Sequence, residues 1–132
     1  MALHTKLYFG RAFLLLGESM PAGKLNLDIE QGATYRKVLI WKGSDKVPID
    51  LTGYTASMRI LGGALPLDLT TANSRITLET GGKITLILSA ADTQAMVFTA
   101  GTYDLKLIIG TEEIRLVEGH VYVCPAVTPR AT

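Results

Sequence analysis

An all-β sandwich is the fold class this 132-residue sequence predicts, and three observations carry the prediction. Short runs with period-2 alternation recur along the chain, glycine-rich turns separate them, and only one brief segment has helical character. The length suits one domain with one core.

From Leu25 onward each element can be justified in turn. Thr34 to Lys42, TYRKVLIWK, is rich in the β-branched and aromatic residues that suit a pleated surface. The following KGSDKVPIDLTG is a loop, in which Pro48 lacks an amide donor and the Asp50 side chain can bond its own backbone. Asp50-Leu51-Thr52-Gly53 therefore turns the chain into a strand. Along that strand Tyr54, Ala56, Met58 and Ile60 face one way, and Thr55, Ser57 and Arg59 the other.

The same alternation marks RITLE, with Ile76 and Leu78 sharing a side, and KITLILS, with Ile84, Leu86 and Leu88 sharing another. Gly81-Gly82-Lys83 joins them as a hairpin turn, because glycine reaches positive φ without steric cost. Ser89 to Met96 is the helical segment, with Ser89 as N-cap and Asp92 as its capping-box partner. In GTYDLKLIIG the inward set is Tyr103, Leu105, Leu107 and Ile109. In EIRLVEGHVYV the phase of Ile114 and Leu116 differs from that of Val121 and Val123, which predicts a β-bulge near Glu118-Gly119.

Roughly seven short strands with one crossover helix favour an immunoglobulin-like antiparallel β-sandwich, although a single cysteine, Cys124, cannot supply an inter-sheet disulfide. Ahead of the sandwich stands an N-terminal apolar arm containing Leu7, Tyr8, Phe9, Phe13, Leu14, Leu15 and Leu16, set off by GESMPAGK as a linker. The expected organisation is residues 1–24 as arm and linker, 25–127 as the β-sandwich and 128–132 as a C-terminal tail. The arm either adds a strand to its own domain or docks on a neighbouring copy by strand addition or groove insertion. Its apolar run is too short to span a bilayer, and Arg11 with an unconvincing cleavage site argues against a signal peptide.

Function classes narrow by chemistry. Lys plus Arg number 13 against 12 Asp plus Glu with no block of like charge, so nucleic acid is not the expected partner. Glu118 and His120 lie two apart, as metal ligands on one strand face would, yet no third ligand accompanies them. TGGKIT has Thr77 and Ile84 where a phosphate-binding loop needs Gly and Ser or Thr, and is better read as a hairpin turn. Cys124, before Pro125, reads as a half-buried small hydrophobe. Tyr35 and Trp41 could stack a sugar or base, and strand aromatics more often serve the core or the sheet surface. A carbohydrate- or receptor-binding module would need Trp41, Tyr54 and Tyr122 on one open face. The expectation is a protein without catalytic residues, metal or cofactor.

Several stretches together resemble a family of small tailed-bacteriophage virion proteins. They are Gln31-Gly32-Ala33-Thr34, Ile49-Asp50-Leu51-Thr52-Gly53-Tyr54-Thr55 with Met58-Arg59, Ile84-Thr85-Leu86, and Ser89-Ala90-Ala91-Asp92-Thr93. Ala100-Gly101-Thr102-Tyr103-Asp104-Leu105, Glu118-Gly119, Val121-Tyr122-Val123 and Pro125 complete the set. The resemblance covers about residues 28 to 130 and leaves the arm outside it. It implies a β-sandwich building block that forms rings as a tail collar and attaches fibres or neighbouring tail proteins. Related sandwiches decorate capsids. The implied partners are further copies of the chain and other virion proteins, and the implied location is the virion; charge balance and apolar run length add the expectation of neither nucleic acid nor membrane as partner.

Overall fold

A computed structural model describes residues 4–8, 23–43, 47–64 and 66–127. The strands are β1 (His4–Tyr8), β2 (Gly23–Lys24), β3 (Leu27–Glu30), β4 (Tyr35–Lys42), β5 (Thr55–Leu61), β6 (Leu67–Thr70), β7 (Ile76–Glu79), β8 (Lys83–Leu88), β9 (Ala100–Ile109) and β10 (Glu112–Cys124). One helix, α1 (Ala90–Gln94), lies between β8 and β9. A four-stranded sheet has the order β1-β4-β8-β7, and a six-stranded sheet has the order β2-β10-β9-β5-β6 with β3 also paired to β10. The fold is an all-β sandwich.

Alternation drives the layering. Ala56, Met58 and Ile60 of β5, Tyr103, Leu105 and Leu107 of β9, and Ile84, Leu86 and Leu88 of β8 join Leu27, Ile29, Val117 and Val121 in one core shared by both sheets. Each fully buried Leu, Ile or Val stabilises the fold by about 1.5–3 kcal/mol relative to exposure. The register keeps that face consistent: Met58 stands opposite Leu105 and Leu69, and Leu105 opposite Val117.

The sheets are mixed where the sequence predicts antiparallel pairing throughout. The pairs β4–β8, β7–β8, β5–β6, β5–β9 and β9–β10 are antiparallel, while β1 runs parallel to β4, and β2 and β3 run parallel to β10. Each parallel pair joins segments distant in sequence, as parallel pairing requires a long connection. The stretch 1–24 thus places β1 in one sheet and β2 in the other. The tail 128–132 lies outside the described residues.

The bulge falls earlier than Glu118-Gly119. Register steps between Arg115, opposite Lys106, and Val117, opposite Leu105, so Leu116 is the extra residue. Both Leu116 and Val117 are buried. The phase change is therefore made where two consecutive apolar side chains can turn inward, rather than at the glycine. Gly119 serves a different end: a Cβ there would run into the Leu25 carbonyl, whose residue donates its amide to Glu118 O at 3.0 Å.

Local signals elsewhere match their elements. The Ser89 hydroxyl accepts the Asp92 amide and the Asp92 carboxylate accepts the Ser89 amide, each at 3.1 Å, closing the capping box of α1. Gly81 and Gly82 both adopt positive φ between β7 and β8. Asp50 Oδ1 accepts both the Thr52 amide at 3.0 Å and its hydroxyl at 2.7 Å, and Gly53 completes the turn at φ 86°. Those two bonds hold the Asp50 carboxyl below its ordinary pKa. β6 is a strand the periodicity does not announce, because LDLT offers only Leu67 and Leu69 as a pattern.

Candidate functional site

Leu7 and Tyr8 of the apolar arm occupy β1, at register positions opposite Trp41 and Lys42. Phe9, Phe13, Leu14, Leu15 and Leu16 lie outside the described residues.

The residues weighed for chemistry are drawn into structural roles. Glu118 is ion-paired with Lys24 and lies 3.6 Å from Arg115, and hydrogen bonding from Lys24 holds its carboxyl below the ordinary range. His120 donates its amide to Asn26 Oδ1 at 3.0 Å, and its ring stacks with Tyr122 at 6.1 Å. Among the described residues no three His, Cys, Asp or Glu side chains converge as metal ligands. No helix among them is long and apolar enough to cross a membrane. Cys124 is exposed rather than half-buried, because it follows inward-facing Val123 in strict alternation.

The three aromatics required for a glycan face do not gather. Trp41 and Tyr54 meet edge to face at 6.0 Å and pack against the core. Tyr122 stands opposite Ala100, whereas Thr55, next to Tyr54, stands opposite Ile108, eight residues further along β9. At about 3.4 Å per residue that separates them by about 27 Å.

Two surface features remain on the six-stranded sheet. The first is a row of charges crossing its outer face, Asp68, Arg59, Asp104, Glu118 and Lys24, each in register with the next. Arg59 grips Asp68 through Nε at 2.7 Å and Nη2 at 3.0 Å, which lowers the Asp68 pKa. Asp104 and Glu118 are like charges directly opposed, an arrangement that is unfavourable alone. Arg115 lies between them, 3.5 Å from Asp104 and 3.6 Å from Glu118, and offsets it. Beside the row is a shallow depression of about 280 Å³ lined by Arg59, Leu61, Thr102, Tyr103, Asp104 and Glu118. Its charges are already partnered: Arg59 with Asp68, Asp104 with Arg115, and Glu118 with Lys24 and Arg115.

The second feature is an apolar end. Leu61, Tyr122, Val97 and Val127 are 52%, 42%, 79% and 97% exposed. Leu61 and Tyr122 lie where β9 begins, opposite Thr102 and Ala100, while Val97 precedes β9 and Val127 follows β10. Gln31 fixes both of the latter segments. Its Nε2 donates to Gln94 O at 3.1 Å and Met96 O at 3.3 Å, and its Oε1 accepts the Ala126 amide at 3.1 Å. Gly32 N donates to Thr93 Oγ1 at 3.0 Å, and Thr93 Oγ1 donates to Ala33 O at 2.8 Å. Arg75 completes the arrangement, gripping Asp92 through Nε at 3.2 Å and Nη2 at 2.8 Å.

Neither feature is singled out by the sequence alone. Outward charges were legible from alternation, but their alignment needs the register of five strands, and exposed valines outside strands carry no periodic signal.

No family model matches the chain, and no curated protein matches it. Among solved structures, the N-terminal domain of phage TP901-1 ORF48 is similar at a TM-score of 0.48 and 7% sequence identity, covering 91% of this chain and 97% of that one.

Proposed function

We propose that this chain is a non-enzymatic structural protein of a tailed-phage virion, assembling into a ring as a tail collar or adaptor that attaches fibres or neighbouring tail proteins. One observation carries the reading. The Gln31-Gly32-Ala33 and Ala90-Ala91-Asp92-Thr93 motifs of the virion-protein resemblance bind each other, and through Gln31 they hold the segments that present Val97 and Val127. In this arrangement the motif residues brace an exposed apolar surface suited to protein contact. The ion-paired row on the same sheet adds specificity, since like-charge mismatch disfavours wrong partners.

The N-terminal arm couples the copies. Deleting residues 1–16 is expected to leave a folded β domain by circular dichroism that no longer assembles by light scattering. A truncated chain that still forms the full-size oligomer would overturn the role of the arm.

A further inference from the structure

We propose that the outer edge of β4 is an acceptor for the β1 strand, His4–Tyr8, of a neighbouring copy of this chain, so that β1 is exchanged between subunits. The inference rests on the self-assembling reading above and names the edge through which the copies join.

β1 is an edge strand whose pairing partner is β4, in parallel register from His4 opposite Val38 to Tyr8 opposite Lys42. Taking it away leaves the β4-β8-β7 pairing whole, since β4 keeps its antiparallel ladder to β8 from Tyr35 to Ile40. β4 also has the marks of an edge strand in its own right. Lys37 shares a sheet face with Leu39 and stands opposite the buried core residue Leu86, yet is only half-buried. A charged residue placed on the inward face is a device by which edge strands resist indiscriminate pairing. An edge built this way accepts a specific strand and discourages others.

β4 nevertheless carries Val38-Leu39-Ile40-Trp41, an apolar stretch without proline or glycine that suits pairing with an added strand. In the structure β1 covers that stretch, from Val38 to Lys42. Fourteen residues, 9–22, separate β1 from β2, which lies in the other sheet. Fourteen residues reach at most about 50 Å, whereas a domain of this length is about 35 Å across. The connection is long enough to serve a neighbour's β4 as well as its own. Exchange of a terminal element is a low-cost route to assembly, because the acceptor site already exists within each copy. Donation from each copy to the next is a heterologous contact, which forms a ring when the rotation between copies closes.

Lys6 and Ile40 are register partners, and Cα atoms paired across neighbouring strands lie within disulfide reach. The test is the full chain carrying Lys6→Cys and Ile40→Cys in a Cys124→Ser background, oxidised and run on a non-reducing gel, with each single-cysteine variant as control. The exchange predicts covalent dimers and higher multimers that only the double variant forms and that reductant dissolves. Cross-linked monomers, or no cross-linking, would overturn it. Light scattering on the uncross-linked protein separates the two readings. An oligomer whose cross-links are intrachain removes the exchange and leaves assembly standing, whereas a monomer removes both.

Discussion

Tyr35 and Tyr103 show how two similar side chains in one core carry different energetic weight. The Tyr103 hydroxyl donates to Leu25 O at 2.6 Å, while the Tyr35 hydroxyl is buried with no hydrogen-bond partner among the described residues. Burial pushes both phenol pKa values up, so both stay neutral across the physiological range. Tyr103→Phe should cost about 1 kcal/mol in urea denaturation, and Tyr35→Phe should leave stability unchanged or raise it by up to about 1 kcal/mol. The reverse order would contradict the hydrogen-bond assignment. Asp92 gives the pH dependence. Burial alone would raise its pKa, but hydrogen bonds from Arg75 and Ser89 outweigh burial and hold the carboxyl below its ordinary 3.8. A lowered carboxyl pKa adds stability that is present above the unfolded value and lost as pH falls through the folded one. Asp92→Asn should therefore cost about 1–2 kcal/mol near pH 6, with the gap to the parent narrowing by about pH 3. A gap independent of pH would show that the charge is not what matters there.

At the scale of elements, close backbone approach decides what a glycine is for. Gly119 lies where the β10 backbone meets Leu25, between β2 and β3, and a Cβ would collide with the Leu25 carbonyl. Gly119→Ala should cost about 1–3 kcal/mol and speed hydrogen exchange at the Leu25 and His120 amides, which bond to Glu118 O and Asn26 Oδ1. A neutral substitution would mean that the β2–β10 edge yields freely. This residue also illustrates what sequence could and could not reveal. Alternation correctly assigned the inward faces of β5, β8 and β9, and cap and turn chemistry correctly placed α1, the Asp50 turn and the β7–β8 hairpin. The bulge was detectable as a phase change between Leu116 and Val121, but its position depended on which residue both sheets could bury, a tertiary choice. β2, β3 and β1 pair in parallel with strands far along the chain, and no local pattern encodes such partners. For the candidate site, the Gln31 motif stood out as a resemblance while its job of holding Met96 and Ala126 required the folded chain.

At the scale of the whole molecule, the sandwich has one side of its larger sheet laced by ion pairs and exposes Leu61, Val97, Tyr122 and Val127 in or beside its strands β5, β9 and β10. Exposed surface pairs of this kind add little stability; in the proposed assembly the Asp68-to-Lys24 row would serve orientation and partner choice. On the proposed reading, the exposed apolar residues and the β4 edge are distinct places for one copy to meet another protein: the first is braced by the Gln31 and Thr93 contacts, the second completed by β1. A building block with contacts of two kinds can join its own copies through one and a different partner through the other, as a collar or adaptor must. The most direct test of that account is gold labelling of intact virions with an antibody to this chain, viewed by electron microscopy. The account predicts label at the tail; label over the head would move the protein to the capsid surface as a decoration protein, and virions without label would contradict a structural role in the particle.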